Sequence, residues 1–405
     1  MIRAAEKRKE RENRVQTRES LLSCETISGQ QVEEALGKAV SLVEKNVEEF
    51  TDCFPDSNSC GNFYPRSENV EWTTGFWTGE IWLAYEETGK EKLRRAGEIQ
   101  VESFMERITS RIDVEHHDMG FLYSPSCVAA WKLTQNEKAK KAALMAVDNL
   151  MGRLCEKGQF FQAWGPVGAP DNYRLIIDCL LNMPLLFWAS ETTGEEKYAE
   201  KAKAHIQTAM KYMLRPDCST YHTYFFEPES GKAVRGVTHQ GNRDGSAWAR
   251  GQAWGIYGSA MAYRYIRSGE YVDIFEKVTS YFQQHLPQNL IPYWDFDFDD
   301  GSSEPRDSSS AAIAACGMLE MAKYLPEEKS LYYTGMAKRL LLALWKNCAV
   351  LSGDESNGLL LHGTYARASA GNPCQNRGVD ECNTWGDYYY LEGLIRARRD
   401  WKSYW

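Results

Sequence analysis

The sequence predicts an all-α protein, an (α/α)6 barrel of six inner and six outer helices. Three observations predict it. A helix rich in small apolar residues, a tight turn and a charged amphipathic helix recur along the 405-residue chain. The first helix of each pair is apolar on nearly every side, so it must be buried on both faces. The second confines its apolar residues to one stripe, as an outer-layer helix does.

The elements follow in order. Residues 1–30, opening MIRAAEKRKERENRVQTRES, form a basic extension, expected to be flexible or helical, and 31–405 form the expected barrel domain. The extension has no apolar segment of the kind a secretory signal carries. A helix around Gln31–Glu49 begins the barrel. FWTGEIWLAYEETGKEKLRRAGEI turns at Thr88-Gly89, and its second half aligns Leu93, Ala96, Val101, Phe104 and Ile108. CVAAWKLTQNEKAKKAALMA turns near Gln135-Asn136, and MPLLFWASETTGEEKYAEKAKAHI turns at Thr193-Gly194. GIYGSAMAYRYIRSGEYVDIFEKV turns at Ser268-Gly269, AAIAACGMLEMAKYLPEEKSLYYTGMAKRLL turns at Pro326, and WGDYYYLEGLIRARRDWKSYW closes the chain. Glycine or asparagine just past a last helical turn adopts the left-handed conformation that caps orphan carbonyls. Strand-like alternation is sparse, in Thr220–Phe226 and Val234–Thr238. An open α-solenoid is the alternative, but its repeats would be shorter and more uniform.

Forty-seven basic against 56 acidic residues leave a net charge of −9, which argues against a general affinity for nucleic acid. The most apolar run, Leu175 to Trp188, is broken by Asp178, Asn182 and Pro184 and is too short to cross a bilayer. The 11 cysteines include no CxxC pair, which leaves zinc-ribbon and thioredoxin-like motifs without support and makes a reducing cytoplasm the expected location. Thirteen Trp, 22 Tyr and 15 Phe offer flat apolar rings suited to sugar faces, though most aromatic residues serve the core.

The loops before the inner helices crowd one mouth of such a barrel, and the unusual residues fall there. Asp113, Glu115, His116, His117 and Asp118 precede Ser124-Pro125, which reads as an N-cap followed by proline at the first helical position. A metal site, solvated loop charge and a substrate-contacting acid are the three readings of this cluster. Adjacent residues rarely converge on one ion, and no helical HxxxH spacing is present. Asp178 is a lone carboxyl among Leu175, Ile176, Ile177, Leu180 and Leu181. Desolvation would raise its pKa and prepare a general acid; pairing with Arg174 or capping a helix would make it structural. Arg250 and Trp254 share a helix face, where a guanidinium fork could hold a carboxylate beside a ring, or could satisfy carbonyls. His222, alone among aromatics, reads by itself as a core histidine. The run Asp295 to Gly301 opens like a calcium loop but has Asp300 at its sixth position and Arg306 at its twelfth, so Arg306 is expected to answer its acids. There is no P-loop, no GxSxG elbow and no dinucleotide fingerprint.

Together the segments HHDMGFLYSPSCVAAWKLT, QAWG, NYRLIIDCLLNMPLLFWAS, YHTYFFEP, RDGSAWARGQAWGIYG, PYWDFDFDDG and GVDECNTWGDYYYLE resemble the unsaturated glucuronyl hydrolases of glycoside hydrolase family 88. The resemblance runs in order from about Gln30 to Trp405 and implies the same barrel. It further implies removal of a 4,5-unsaturated uronic acid from the non-reducing end of lyase-generated oligosaccharides, with no metal or organic cofactor. In that family the C4=C5 bond is protonated at C4 and water adds at C5. By motif, Asp178 would be the proton donor and Asp118 the second essential acid. His117, His222, Gln240 and Arg250 would bind the uronate's oxygens, and Trp72, Phe76, Trp164 and Trp254 would line the ring and the adjoining subsite. Relatives that look adapted to sulfated fragments carry a Ser-x-x-Ser-x-Lys segment, where this chain has Ser369-Ala-Gly-Asn372-Pro-Cys374 without the lysine. Less sulfated hyaluronan, chondroitin, gellan or xanthan fragments are therefore the expected substrates. A rhamnogalacturonyl hydrolase, a sugar epimerase on the same barrel and a non-catalytic sugar-binding barrel are the rivals. The expected assembly is a monomer or weak homo-oligomer, with no nucleic-acid or membrane partner.

Overall fold

The computed structural model describes residues 21, 23–353 and 355–405, so most of the expected basic extension lies outside the described residues. The chain forms α1 (Gly29–Asn46), β1 (Phe54–Pro55), β2 (Arg66–Ser67), α2 (Thr74–Thr88), α3 (Glu91–Thr109), α4 (Met119–Tyr123), α5 (Ala129–Thr134) and α6 (Glu137–Met151). It continues through β3 (Leu154–Cys155), β4 (Phe160–Phe161), β5 (Arg174–Ile176), a 3-10 turn (Ile177–Leu181), α7 (Pro184–Thr193) and α8 (Glu196–Met213). Then come β6 (Thr223–Phe226), β7 (Ala233–Val237), α9 (Ala249–Ile266), α10 (Gly269–Gln284), α11 (Ser308–Ala322), α12 (Glu327–Asn347), β8 (Gly363–Ala366), β9 (Arg377–Glu381) and α13 (Thr384–Arg398).

The inner helices close a ring. α2 packs on α4, α4 on α7, the 3-10 turn before α7 on α9, α9 on α11, α11 on α13, and α13 returns to α2. α3, α6, α8, α10 and α12 back this ring, and α1 sits on α2 and α13 at the closure. Every residue of α11 is buried, as an inner-ring position requires. In α3 the expected stripe Leu93, Ala96, Val101, Phe104 and Ile108 is buried and the charged face is outside.

Three local expectations are corrected. Gly89 and Gly194 take the left-handed cap as expected, but Gln135 and Arg267 do so as well, and α11 ends at Lys323 in the right-handed region. The turn expected at Ser268-Gly269 is thus made by Arg267, whose guanidinium lies 4.3 Å from the Tyr324 ring and offsets the left-handed cost. Ser124-Pro125 does not start a helix. The helix starts at Met119, and Ser124–Val128 is a wide π turn within it, where Pro125 has no N–H to give the ladder. Residues around Asp178 leave the helical pattern: β5 joins β6 and β7 in a three-stranded antiparallel sheet at the mouth. Among the described residues no helix is long and apolar enough to cross a membrane, and no disulfide is formed.

Candidate active site

The loop before α4 is held like an added strand. The His117 N–H donates to the Ala163 carbonyl at 2.7 Å, and Ala163 in turn donates to the Arg174 carbonyl at 3.0 Å, so this loop, the Trp164 segment and β5 lie side by side. Asp118 is the N-cap of α4 but makes no side-chain cap bond, which leaves its carboxylate free to face other partners. His116 Nδ1 lies 3.0 Å from Asp118 Oδ2, and Asn182 Nδ2 donates to Asp118 Oδ1 at 3.4 Å. Gly120 permits this approach, because a Cβ there would fall 2.3 Å from the Asn182 Cα. Asp178 is in the first turn of the 3-10 segment, fixed by the Ile177 N–H donating to the His222 carbonyl at 3.1 Å. Its Oδ1 has no hydrogen-bond partner. His117 Nε2 sits between the two acids, 3.2 Å from Asp118 Oδ1 and 3.5 Å from Asp178 Oδ1.

These groups open into a cavity of about 470 Å³ lined by both acids, Trp72, Trp164, the four histidines His116, His117, His222 and His239, and the carboxyls Glu71 and Asp113. The two central carboxyls are driven apart electrostatically. Burial, and then the charge of Asp118, raise the Asp178 carboxyl well above its ordinary range, against the weaker pull of Arg250. Burial also pushes Asp118 up, but its contacts to His117, His116 and Asn182 outweigh that and hold it below its ordinary value. Burial lowers His117 to about 4, overcoming the raising effect of Asp118. The imidazole is therefore neutral near neutral pH, and Nε2, facing two carboxyl oxygens, is the nitrogen that keeps the proton. Asp118 thus stays ionised beside His117, His116 and Asn182. One acid is kept protonated and its neighbour ionised.

The structure brings Trp72, His117, Asp118, Trp164, Asp178, His222 and Gln240 together on the cavity wall. His222 Nε2 is 3.2 Å from Gln240 Oε1, so the histidine belongs to the site and not to an isolated aromatic core. Phe76, Arg250 and Trp254 stand behind the wall. Phe76 is fully buried 5.9 Å from Trp72, and Trp254 is buried 5.3 Å from Phe121. Arg250 lies between the rings of Trp248 and Trp385, and donates to Asp307 Oδ2 at 2.8 Å and to the Thr364 and Tyr365 carbonyls. Arg174 is bound to Asn172 and not to Asp178, so the structural pairing considered for that acid does not form. Sequence reasoning missed Glu71 and His239, the chain neighbours of Trp72 and Gln240, and Tyr365, which comes from β8. Tyr365 accepts the Trp72 Nε1–H at 2.9 Å and fixes that ring; a lone tyrosine in a short strand carries no signal for this. In the acidic loop, Arg243 takes the role expected of Arg306: it lies 2.8 Å from Asp297, whereas Arg306 is 3.9 Å from Asp300.

The Glycosyl Hydrolase Family 88 model matches residues 43–395. The chain belongs to glycosyl hydrolase family 88. It is 43% identical to an unsaturated chondroitin disaccharide hydrolase of Streptococcus pneumoniae, over 97% of this chain and 98% of that one. The crystal structure of an unsaturated glucuronyl hydrolase from Streptococcus agalactiae superposes with a TM-score of 0.91 at 44% identity, covering 96% of this chain and 98% of the other. A variant of the Streptococcus agalactiae enzyme, solved in complex with dGlcA-GalNAc6S, matches with a TM-score of 0.85 at 41% identity, over 96% of this chain and 97% of that one. The family-88 barrel is thus a glycosidase, and its inner-over-outer helix order is the one the repeat predicts.

His117, Asp118 and Asp178 offer one nitrogen and two carboxylate oxygens within 4.8 Å of one another, close enough to ligate one cation. Three donors would leave the rest of a coordination sphere to water. Against an ion, Asp178 favours its protonated, donor form, which does not ligate a cation.

Proposed function

We propose that this family-88 enzyme releases a 4,5-unsaturated uronic acid from the non-reducing end of lyase-generated oligosaccharides of hyaluronan or chondroitin type, by hydrating the C4=C5 bond. The observation that carries the reading is the single cluster in which His117 bridges Asp118 and Asp178, both within 3.5 Å of its Nε2. Ordinary glycosidases place two carboxyls on opposite sides of the scissile bond, about 5–5.5 or 6.5–9.5 Å apart. Here their oxygens lie within 4.8 Å of each other on one cavity, an arrangement that suits protonation of one carbon and control of the charge that follows.

In this reading the Asp178 carboxylic acid gives its proton to C4, and positive charge develops at C5 and the ring oxygen. The ionised Asp118 stabilises that charge at close range. The Asp178 carboxylate then takes a proton from the water that adds to C5. The resulting hemiketal opens by breaking the bond between C5 and the ring oxygen, and the hemiacetal left at C1 expels the next sugar with its proton. One water is consumed. Trp72 and Trp164 pack on the sugar, and His222 and Gln240 hold its oxygens. Arg250 serves the site from behind, fixing the Tyr365 carbonyl and lending its charge, and residues 31–405 act as one catalytic unit.

The near-UV absorbance of the conjugated double bond tests this directly. Unsaturated hyaluronan and chondroitin disaccharides should lose the band with the native enzyme and keep it with Asp178→Asn, whose turnover falls by about 10³-fold. A band that persists with the native enzyme for every unsaturated uronate would overturn the reading.

A further inference from the structure

The cavity's charge does not match an anionic substrate. Glu71, Asp113, Asp118 and Asp178 line it, no lysine or arginine does, and burial keeps His117, His222 and His239 below their ordinary values. The nearby guanidinium groups are committed elsewhere. Arg250 is held by Asp307 and two carbonyls, Arg153 by the Gln162 and Gly165 carbonyls, and Arg377 lies 3.3 Å from Glu71. Arg174 differs. Among the described residues it forms no ion pair; Nη2 donates to Asn172 Oδ1, and Nε is buried with no acceptor. Its guanidinium carbon lies 4.2 Å from the ring centre of Trp164, a wall of the cavity.

Strand geometry gives the direction. Alternate residues of a strand share a face, and Ile176, two residues on in β5, lines the cavity. At about 3.4 Å per residue, Arg174 stands roughly 7 Å from Ile176 along the strand, on the side away from Asp178. With the reacting carbons at Asp178, that position faces the sugar beyond the uronate.

We propose that Arg174, seated on Trp164, is a specificity-determining residue that binds an anionic substituent, a sulfate or a carboxylate, on the leaving side of the substrate. The proposal rests on the hydrolase reading above for the placement of the uronate. A fork over an indole ring is a planar, preorganised receiver for either oxyanion, and it supplies a cation that the segment 369–374 lacks.

The test compares native enzyme, Arg174→Gln and Arg174→Lys on three substrates: an unsulfated unsaturated chondroitin disaccharide, its 6-sulfated form, and an unsulfated tetrasaccharide whose third sugar carries a carboxylate. Arg174→Gln should raise KM about tenfold for the sulfated disaccharide or for the tetrasaccharide, with kcat and the unsulfated disaccharide changed less than twofold. The substrate that responds identifies the anion. Arg174→Lys, which keeps the charge and the stem on the ring, should recover part of the loss, and the native preference should weaken in high salt. An equal effect on all three substrates, or none, overturns the proposal. If the native enzyme leaves every double bond intact, the hydrolase reading has failed, and calorimetric binding of the same three sugars to native and Arg174→Gln protein still decides the arginine.

Discussion

Two groups of carboxyls, one at the mouth and one near the C-terminal ends of α11 and α13, are both drawn out of bulk water, yet Asp178 in the first is pushed towards its protonated form and Glu320 in the second towards its ionised form. At the far end, Arg396 donates to Glu392 at 2.8 Å, to Glu320 at 2.6 Å and to the Tyr257 hydroxyl at 2.7 Å, and Trp405 closes on Glu392. Burial raises Glu320, but Arg396 and Arg264 outweigh it and bring its carboxyl down to about 2. At the mouth, Asp178 has Asp118 as its nearest charge and no hydrogen bond at Oδ1, and it is raised instead. Burial is common to both. The partner decides the charge, and with it whether a buried acid holds the barrel together or holds a proton for chemistry.

Breaking the far-end network should give the largest stability effect. Arg396→Met leaves Glu392 buried without its cation and Glu320 with only the longer contacts to Arg264 and Lys323, at an expected cost of about 3–5 kcal/mol in urea unfolding. Asp178→Asn at the mouth should be neutral or stabilising in the same measurement, since it removes an unpaired buried acid. Equal destabilisation by both changes would erase the contrast.

A smaller effect sharpens the mouth itself. His116→Ala removes a hydrogen bond that keeps Asp118 ionised. Because activity requires that ionised form and fails as pH falls through its lowered pKa, the acid limb of kcat/KM should move to higher pH. At the low-pH edge the loss should be about tenfold, near the value of one charged hydrogen bond. An unmoved acid limb would mean that it reports another group.

The smallest effect concerns a third buried pair, Glu80 and Asp387. Burial pushes Asp387 up to about 7 from 3.8, with the Tyr64 hydroxyl and Leu360 N–H opposing. The folded state then keeps a proton that the unfolded chain has released, so this pair's contribution to stability falls as pH rises from about 4 to about 7. Asp387→Asn should flatten that part of the dependence of Tm on pH, and an unchanged slope would assign it elsewhere.

The barrel was legible because its signal is periodic and repeated: apolar helices such as α11 and striped ones such as α3 can satisfy their surfaces only as inner and outer layers. The acids Asp118 and Asp178 were legible as anomalies, polar residues at the borders of apolar runs. Less legible was everything set by distant partners. The turn at Arg267 depends on Tyr324, the helix start at Met119 replaces the one suggested by Ser124-Pro125, and Tyr365 reaches Trp72 from 293 positions away in the chain.

The sequence by itself determined the helical layers, the mouth as the place of chemistry and the two acids, since hydrophobic periodicity and an isolated buried carboxyl are local properties. Only the tertiary structure decided which acid keeps its proton, that Arg250 is spent on Asp307 and two carbonyls, and that Arg174 is without an ion-pair partner among the described residues. Charge state and availability are set by neighbours a few ångströms away, and those neighbours come from segments that the chain order keeps far apart.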